Sequence, residues 1–152
     1  MGGAVEGSIA PPEALEVASA AMVGLDPGRR IGVAWVSADG TLLGSAIVEL
    51  TELQRLPLPS GAQVVLGDGT GSRALAAALA ALGVEAEPID ETGSSEEGRR
   101  LYWRRHPARG IARLLPPGLR SPPRPIDDFA AYAIALRALA GVGRRASSPD
   151  AG

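Results

Sequence analysis

The sequence predicts an α/β domain built on a mixed five-stranded sheet, three antiparallel strands followed by two parallel ones, flanked by helices. Three observations carry that prediction. Short apolar runs at 21–26, 31–37 and 41–49 follow one another with turn-sized gaps, the pattern of an antiparallel meander. Two further apolar runs, 63–67 and 84–89, alternate with helical stretches, which is how parallel strands are joined. The chain of 152 residues suffices for one domain with a proper core and is too short for two ordinary ones.

Each element has a local reason. Residues 1–20 are rich in Ala, Gly and Pro and read as a mobile tail, with a short helical turn over 12–18. In the second strand Ile31, Val33 and Trp35 alternate with Gly32, Ala34 and Val36. Both faces are therefore apolar, as in a covered central strand. Ala38-Asp39-Gly40 is a hairpin turn signal. A short helix is expected over 50–56, ended by Pro57 and Pro59. The stretch "SRALAAALAAL" predicts a helix over 72–82, stopped by Gly83. Ser94, with Glu97 three residues on, is a capping-box signature for a helix over 94–105. A Pro- and Arg-rich connection then leads to a final helix over 126–140, and 142–152 reads as a second mobile tail. The expected domain spans 21–141.

Composition narrows the chemistry. Without cysteine there is no disulfide framework and no thiolate-bound zinc or iron–sulfur site, but an oxygen cage for a hard cation remains open. All fifteen basic residues are arginine. Eight of them, Arg99, Arg100, Arg104, Arg105, Arg109, Arg113, Arg120 and Arg124, fall in a stretch that contains no acid. Charge segregated in this way is the footprint of a face that binds a polyanion. Arg29 and Arg30, after Gly28, add a basic pair to it. The absence of lysine rules out a phosphate loop ending in Gly-Lys-Ser/Thr. The first twenty residues have no basic n-region, and no apolar run approaches the ~18 residues that span a bilayer. The expectation is a soluble, cytoplasmic protein without a membrane partner.

The acids have a pattern of their own. Asp26 ends the first strand, Asp68 the fourth and Asp90-Glu91 the fifth, while Asp127-Asp128 open the last helix. If strands one, four and five run parallel, these ends share the edge where open α/β sheets bind ligands. Carboxylates gathered there repel one another unless a divalent cation joins them, and an all-oxygen set suits Mg²⁺ or Mn²⁺. Each piece alone has a plainer reading. Asp26-Pro27-Gly28 reads equally as a turn, Asp68 as a helix cap, Asp90-Glu91 as dipole-favoured acids, and Asp127 or Asp128 as an N-cap. His106 reads as structural, and Tyr102 and Trp103 read first as packing residues, with base stacking the alternative.

"GLDPGRRIGVAW" resembles the first motif of the YqgF/RuvX branch of the RuvC-like nucleases, which have the ribonuclease H fold. "PIDETGSS" is similar to their fifth-strand motif and "IDDFAAYAIAL" to their last; the three occur in the family's order across residues 22–136. The resemblance implies a ribonuclease H-like sheet and a divalent-metal-dependent endonuclease that hydrolyses phosphodiester bonds in structured nucleic acid. It implies Asp26, Glu91 and Asp127 as catalytic, metal-binding acids, Asp127 rather than Asp128 fitting the Asp-x-x-Ala-Ala register. Asp68 and Asp128 are further ligand candidates. Gly67-Asp68-Gly69 departs from the family's Gly-x-Pro type and adds a carboxylate, and the long arginine-rich connection marks a divergent member. The implied substrates are a four-way DNA junction, which needs a homodimer to present two sites, or precursor 16S rRNA, which does not. The alternative is a nucleic-acid-binding module that kept the fold without catalysis.

Overall fold

A computed structural model describes residues 17–108, 110–116, 122 and 124–147, the side chains of 111, 112 and 142–147 excepted. Five strands, β1 (Met22–Asp26), β2 (Ile31–Val36), β3 (Leu42–Val48), β4 (Gln63–Gly67) and β5 (Ala86–Ile89), form one sheet in the order β3-β2-β1-β4-β5. β2 runs antiparallel to β1 and β3, while β1, β4 and β5 are parallel. The expected fold class, a mixed α/β sheet flanked by helices, is the one found. Three α-helices lie wholly among the described residues: α1 (Ser72–Ala81), α2 (Ser94–Arg105) and α3 (Asp127–Ser147).

Strand alternation sorts the core into two layers. Val23, Leu25, Val33, Trp35, Val64 and Leu66 face one side and pack beneath Leu75 and Leu79 of α1 and Leu53. Met22, Ala34, Val36 and Val65 face the other and meet Tyr102 of α2 and Phe129, Ile134 and Ala138 of α3. Between Phe129 and Ala140 α3 is apolar save for Tyr132 and Arg137, because that stretch is covered by the sheet on one side and by α2 on another. It can lie this close because β1 and β2 present glycines beneath it. A Cβ at Gly24 would stand 2.5 Å from the carbonyl oxygen of Ala131, and one at Gly32 would overlap the backbone of Asp127. Gly32 pairs with Asp26 across the β1–β2 ladder, so the start of α3 is seated over the end of β1.

Several boundaries differ from expectation. Val17 and Ala20, assigned to the mobile tail, are buried in the core, whereas 1–16 and 148–152 lie outside the described residues. The helix expected over 50–56 is a 3-10 turn, Leu50–Arg55, in which Glu52 accepts from the Glu49 N–H at 2.7 Å. A capping arrangement thus exists there and not at α2. Gly93, in the left-handed region at φ 77°, precedes that helix, and Glu97 is turned away to Arg137. α3 continues to Ser147, beyond the expected stop at 140.

Candidate metal centre

β1 delivers Asp26 to the carboxyl edge on the α3 side of the sheet, the face that Gly24 also presents. On one flank is Gly32, over which α3 places Asp127. On the other is Gly67, the residue after Leu66, which pairs with Leu25. A Cβ at Gly67 or at Gly69 would overlap the carboxylate oxygens of Glu91. The "GDG" segment is therefore the seat of Glu91: backbone stripped of side chains so that a carboxylate can lie against it. Ile134 of α3 closes the seat from above, 3.0 Å from where a Gly67 Cβ would be.

The electrostatics follow from this crowding. Burial, then the charge of Glu91, then that of Asp127 push the Asp26 carboxyl up to about 7. Asp127 is also raised, by burial and by Asp128 beside it, with the Arg30 guanidinium pulling the other way. Oε1 of Glu91 is buried, and among the described residues no side chain or backbone group donates to it. A buried carboxylate oxygen without a donor is costly, and so are like charges held together. Among the described residues no three acids stand in preformed ligating geometry. The donor set nevertheless fits a hard cation: oxygen atoms only, one of them orphaned, around a carboxyl whose proton a cation would displace.

Asp68 and Asp128 play other parts. Asp68 is exposed, its Oδ1 accepts from the Glu91 N–H at 3.3 Å, and its backbone N–H donates to the Ile89 carbonyl at 3.0 Å. It ties the Glu91 loop to β4 and is not among the charges acting on Asp26. Asp128, expected as a further metal ligand, is engaged within the fold instead. It is completely buried, and Arg124 donates to its Oδ1 and Oδ2 at 3.1 and 3.2 Å. Ser45 adds a hydrogen bond to Oδ2 at 2.8 Å, and the Phe129 N–H reaches Oδ1 at 3.1 Å. No lone pair is left facing an ion.

Arg124 leaves the nucleic-acid set for the same reason. Besides pairing with Asp128 it lies 5.5 Å from the Tyr102 ring centroid and 5.7 Å from that of Phe129. Arg29, Arg30, Arg100, Arg104, Arg105 and Arg113 are exposed and Arg99 is half-buried; Arg109 and Arg120 lie outside the described residues. Arg30 reaches Glu49 at 3.5 Å through exposed side chains, a pairing of little energetic weight. Tyr102 is a packing residue, edge-on to Phe129 at 5.4 Å, and His106 stacks on it at 4.5 Å. No protein-family model and no curated protein matches the chain. Among the described residues no helix is long and apolar enough to cross a membrane.

Proposed function

We propose that this protein is a divalent-metal-dependent nuclease acting on structured nucleic acid, either a four-way DNA junction or precursor 16S rRNA. The observation that carries the reading is Asp26 held between Glu91 and Asp127 at the carboxyl edge of parallel strands, with its carboxyl driven up to about 7 by that company. Asp26, Glu91 and Asp127 would hold Mg²⁺ or Mn²⁺. Such an ion supplies the positive charge that lets water attack a phosphodiester and an alkoxide depart.

The chain supplies the rest. α2 starts three residues after Glu91 and carries exposed Arg100 and Arg104, four apart and so on one face. At 1.5 Å per residue they stand ~9 and ~15 Å along the helix from its start, a reach of a few phosphates. Arginine grips phosphate in a fork and fixes register without reading sequence. Arg30, close enough to Asp127 to offset part of the rise in its pKa, keeps positive charge at the cluster's rim. The strand order and the sequence motifs support a ribonuclease H-like reading of the same edge.

The test is a cleavage panel with Mn²⁺ or Mg²⁺: a four-way junction, duplex DNA, single-stranded RNA and a precursor rRNA fragment, with Asp26→Asn run alongside. Cleavage of a structured substrate that the variant has lost supports the nuclease. Salt-sensitive binding without cleavage identifies a non-catalytic module instead. Replacing Arg104 and Arg105 together by Gln is expected to weaken binding across all sequences and to flatten the slope of log affinity against log salt by about 2. An unchanged slope removes α2 from the interface.

A further inference from the structure

Arg137 is a charged residue in the middle of a helix whose neighbours Ile134, Ala135 and Ala138 are buried. A guanidinium in such a place needs a reason, and its contacts provide one. Nη1 donates to the backbone carbonyl of Asp90 at 2.8 Å. Nε donates to Oε1 of Glu97 at 3.1 Å, and Nη2 lies 3.0 Å from the same oxygen. A Cβ at Gly93, the residue before α2, would stand 3.7 Å from Nη2. The side chain thus spans the loop between β5 and α2, gripping its first residue and the helix that follows. Glu91 is the next residue after Asp90.

We infer that Arg137 is the positioning residue that sets where the Glu91 carboxylate stands relative to Asp127. This inference rests on the nuclease reading. Its logic is mechanical: Asp127 and Arg137 belong to the same rigid helix, ten residues apart. Asp127 is fixed at one point by its seat over Gly32, and Arg137 carries the same frame to the loop that presents Glu91. The loop is braced from the other side by Asp68, whose carboxylate holds the Glu91 N–H. Within the loop the Asp90 carboxylate accepts from the Thr92 N–H at 3.0 Å and from its hydroxyl at 2.8 Å, so the backbone carbonyl stays free for the guanidinium. Arg137 touches none of the three acids itself. Its effect on an ion passes through the backbone, as that of outer-shell partners does in metal sites, where their loss weakens binding by about 10–100-fold.

The experiment compares wild type, Arg137→Gln and Arg137→Lys in two measurements. The first is amide hydrogen exchange of the metal-free proteins. Faster exchange at residues 91–94 in Arg137→Gln, with the β1 and β4 amides unchanged, shows the grip on the loop without reference to any ion. The second is Mn²⁺ affinity by calorimetry. Arg137→Gln is expected to bind about tenfold more weakly. Arg137→Lys, which keeps a donor for the Asp90 carbonyl, is expected to recover part of that loss. Wild-type binding of Mn²⁺ with equal affinity in Arg137→Gln overturns the inference and leaves the nuclease reading standing. Wild type that binds no Mn²⁺ overturns the reading, and the positioning role with it. An unaltered exchange pattern in Arg137→Gln overturns the inference whatever the ion does.

Discussion

Asp127 and Asp128 are adjacent, open the same helix, and are treated in opposite ways. Asp128 is removed from water entirely and given an arginine, a serine hydroxyl and a backbone N–H. Asp127 is left half-buried and raised by its surroundings, facing Asp26, which is raised further. Among the described residues an arginine pairs with Asp128, yet none is among the charges acting on Asp26 and none donates to the buried oxygen of Glu91. Repulsion left in place where the means of relieving it is at hand is what the proposed metal centre would require, with its counter-charge supplied by the ion. The Asp128 network holds the fold; the Asp26 cluster is held by it.

The contrast can be broken from either side. Asp128→Ala removes one half of a buried pair and strands Arg124, whose side chain keeps only 27% of its exposure. The expected loss is about 3–5 kcal/mol in urea denaturation, with Ser45 left without its acceptor. A loss under 1 kcal/mol would make the network ornamental. Gly67→Ala works on the other side. Its new methyl group collides with the Glu91 carboxylate, which can swing away, and presses on Ile134 Cδ1 at 3.0 Å and Glu91 Cβ at 3.1 Å, so stability should fall by about 1–2 kcal/mol. With Glu91 displaced, the Asp26 carboxyl should titrate lower, as seen in its side-chain NMR signal. An Asp26 midpoint that stays near 7 would show that Glu91 does not press on it.

Much of this arrangement was legible in the sequence, for identifiable reasons. Strand alternation, Gly and Pro punctuation and Ala/Leu runs located the strands to within two residues and the start of each α-helix, though α3 runs on to Ser147, past the expected stop at 140. Acids at strand ends pointed to one edge, since parallel strands must share it, but the same signal included Asp68, which is exposed and braces the Glu91 loop. What escaped depended on long-range packing. The Ser45–Asp128 bond joins residues 83 apart. Arg124 looked like one more member of a charge run, although its i, i+4 spacing from Asp128 was visible. Ser94 and Glu97 had the letters of a capping box, but Gly93 took the position before the helix and Arg137 claimed the glutamate. The glycines at 24, 32, 67 and 69 carried the most unread information: each marks where a helix backbone or a carboxylate lies against the sheet edge. Arg137, set between Leu136 and Ala138 in the apolar middle of α3, was a signal of the same kind.

The pH dependence of stability tests the central claim most directly. A carboxyl at about 7 in the native state and at about 4 in the unfolded chain binds its proton more tightly when folded. Stability should therefore be highest below pH 4, fall as pH rises through the window from about 4 to 7, and level off above it, by about 2–4 kcal/mol in all from this group. Other groups contribute their own slopes, so the difference between wild type and Asp26→Asn isolates this one. In chelator at pH 8, Asp26→Asn should be the more stable protein, and millimolar Mn²⁺ should restore stability to wild type but not to the variant. Equal stability of the two proteins across the window, with no response to Mn²⁺ in either, would contradict it.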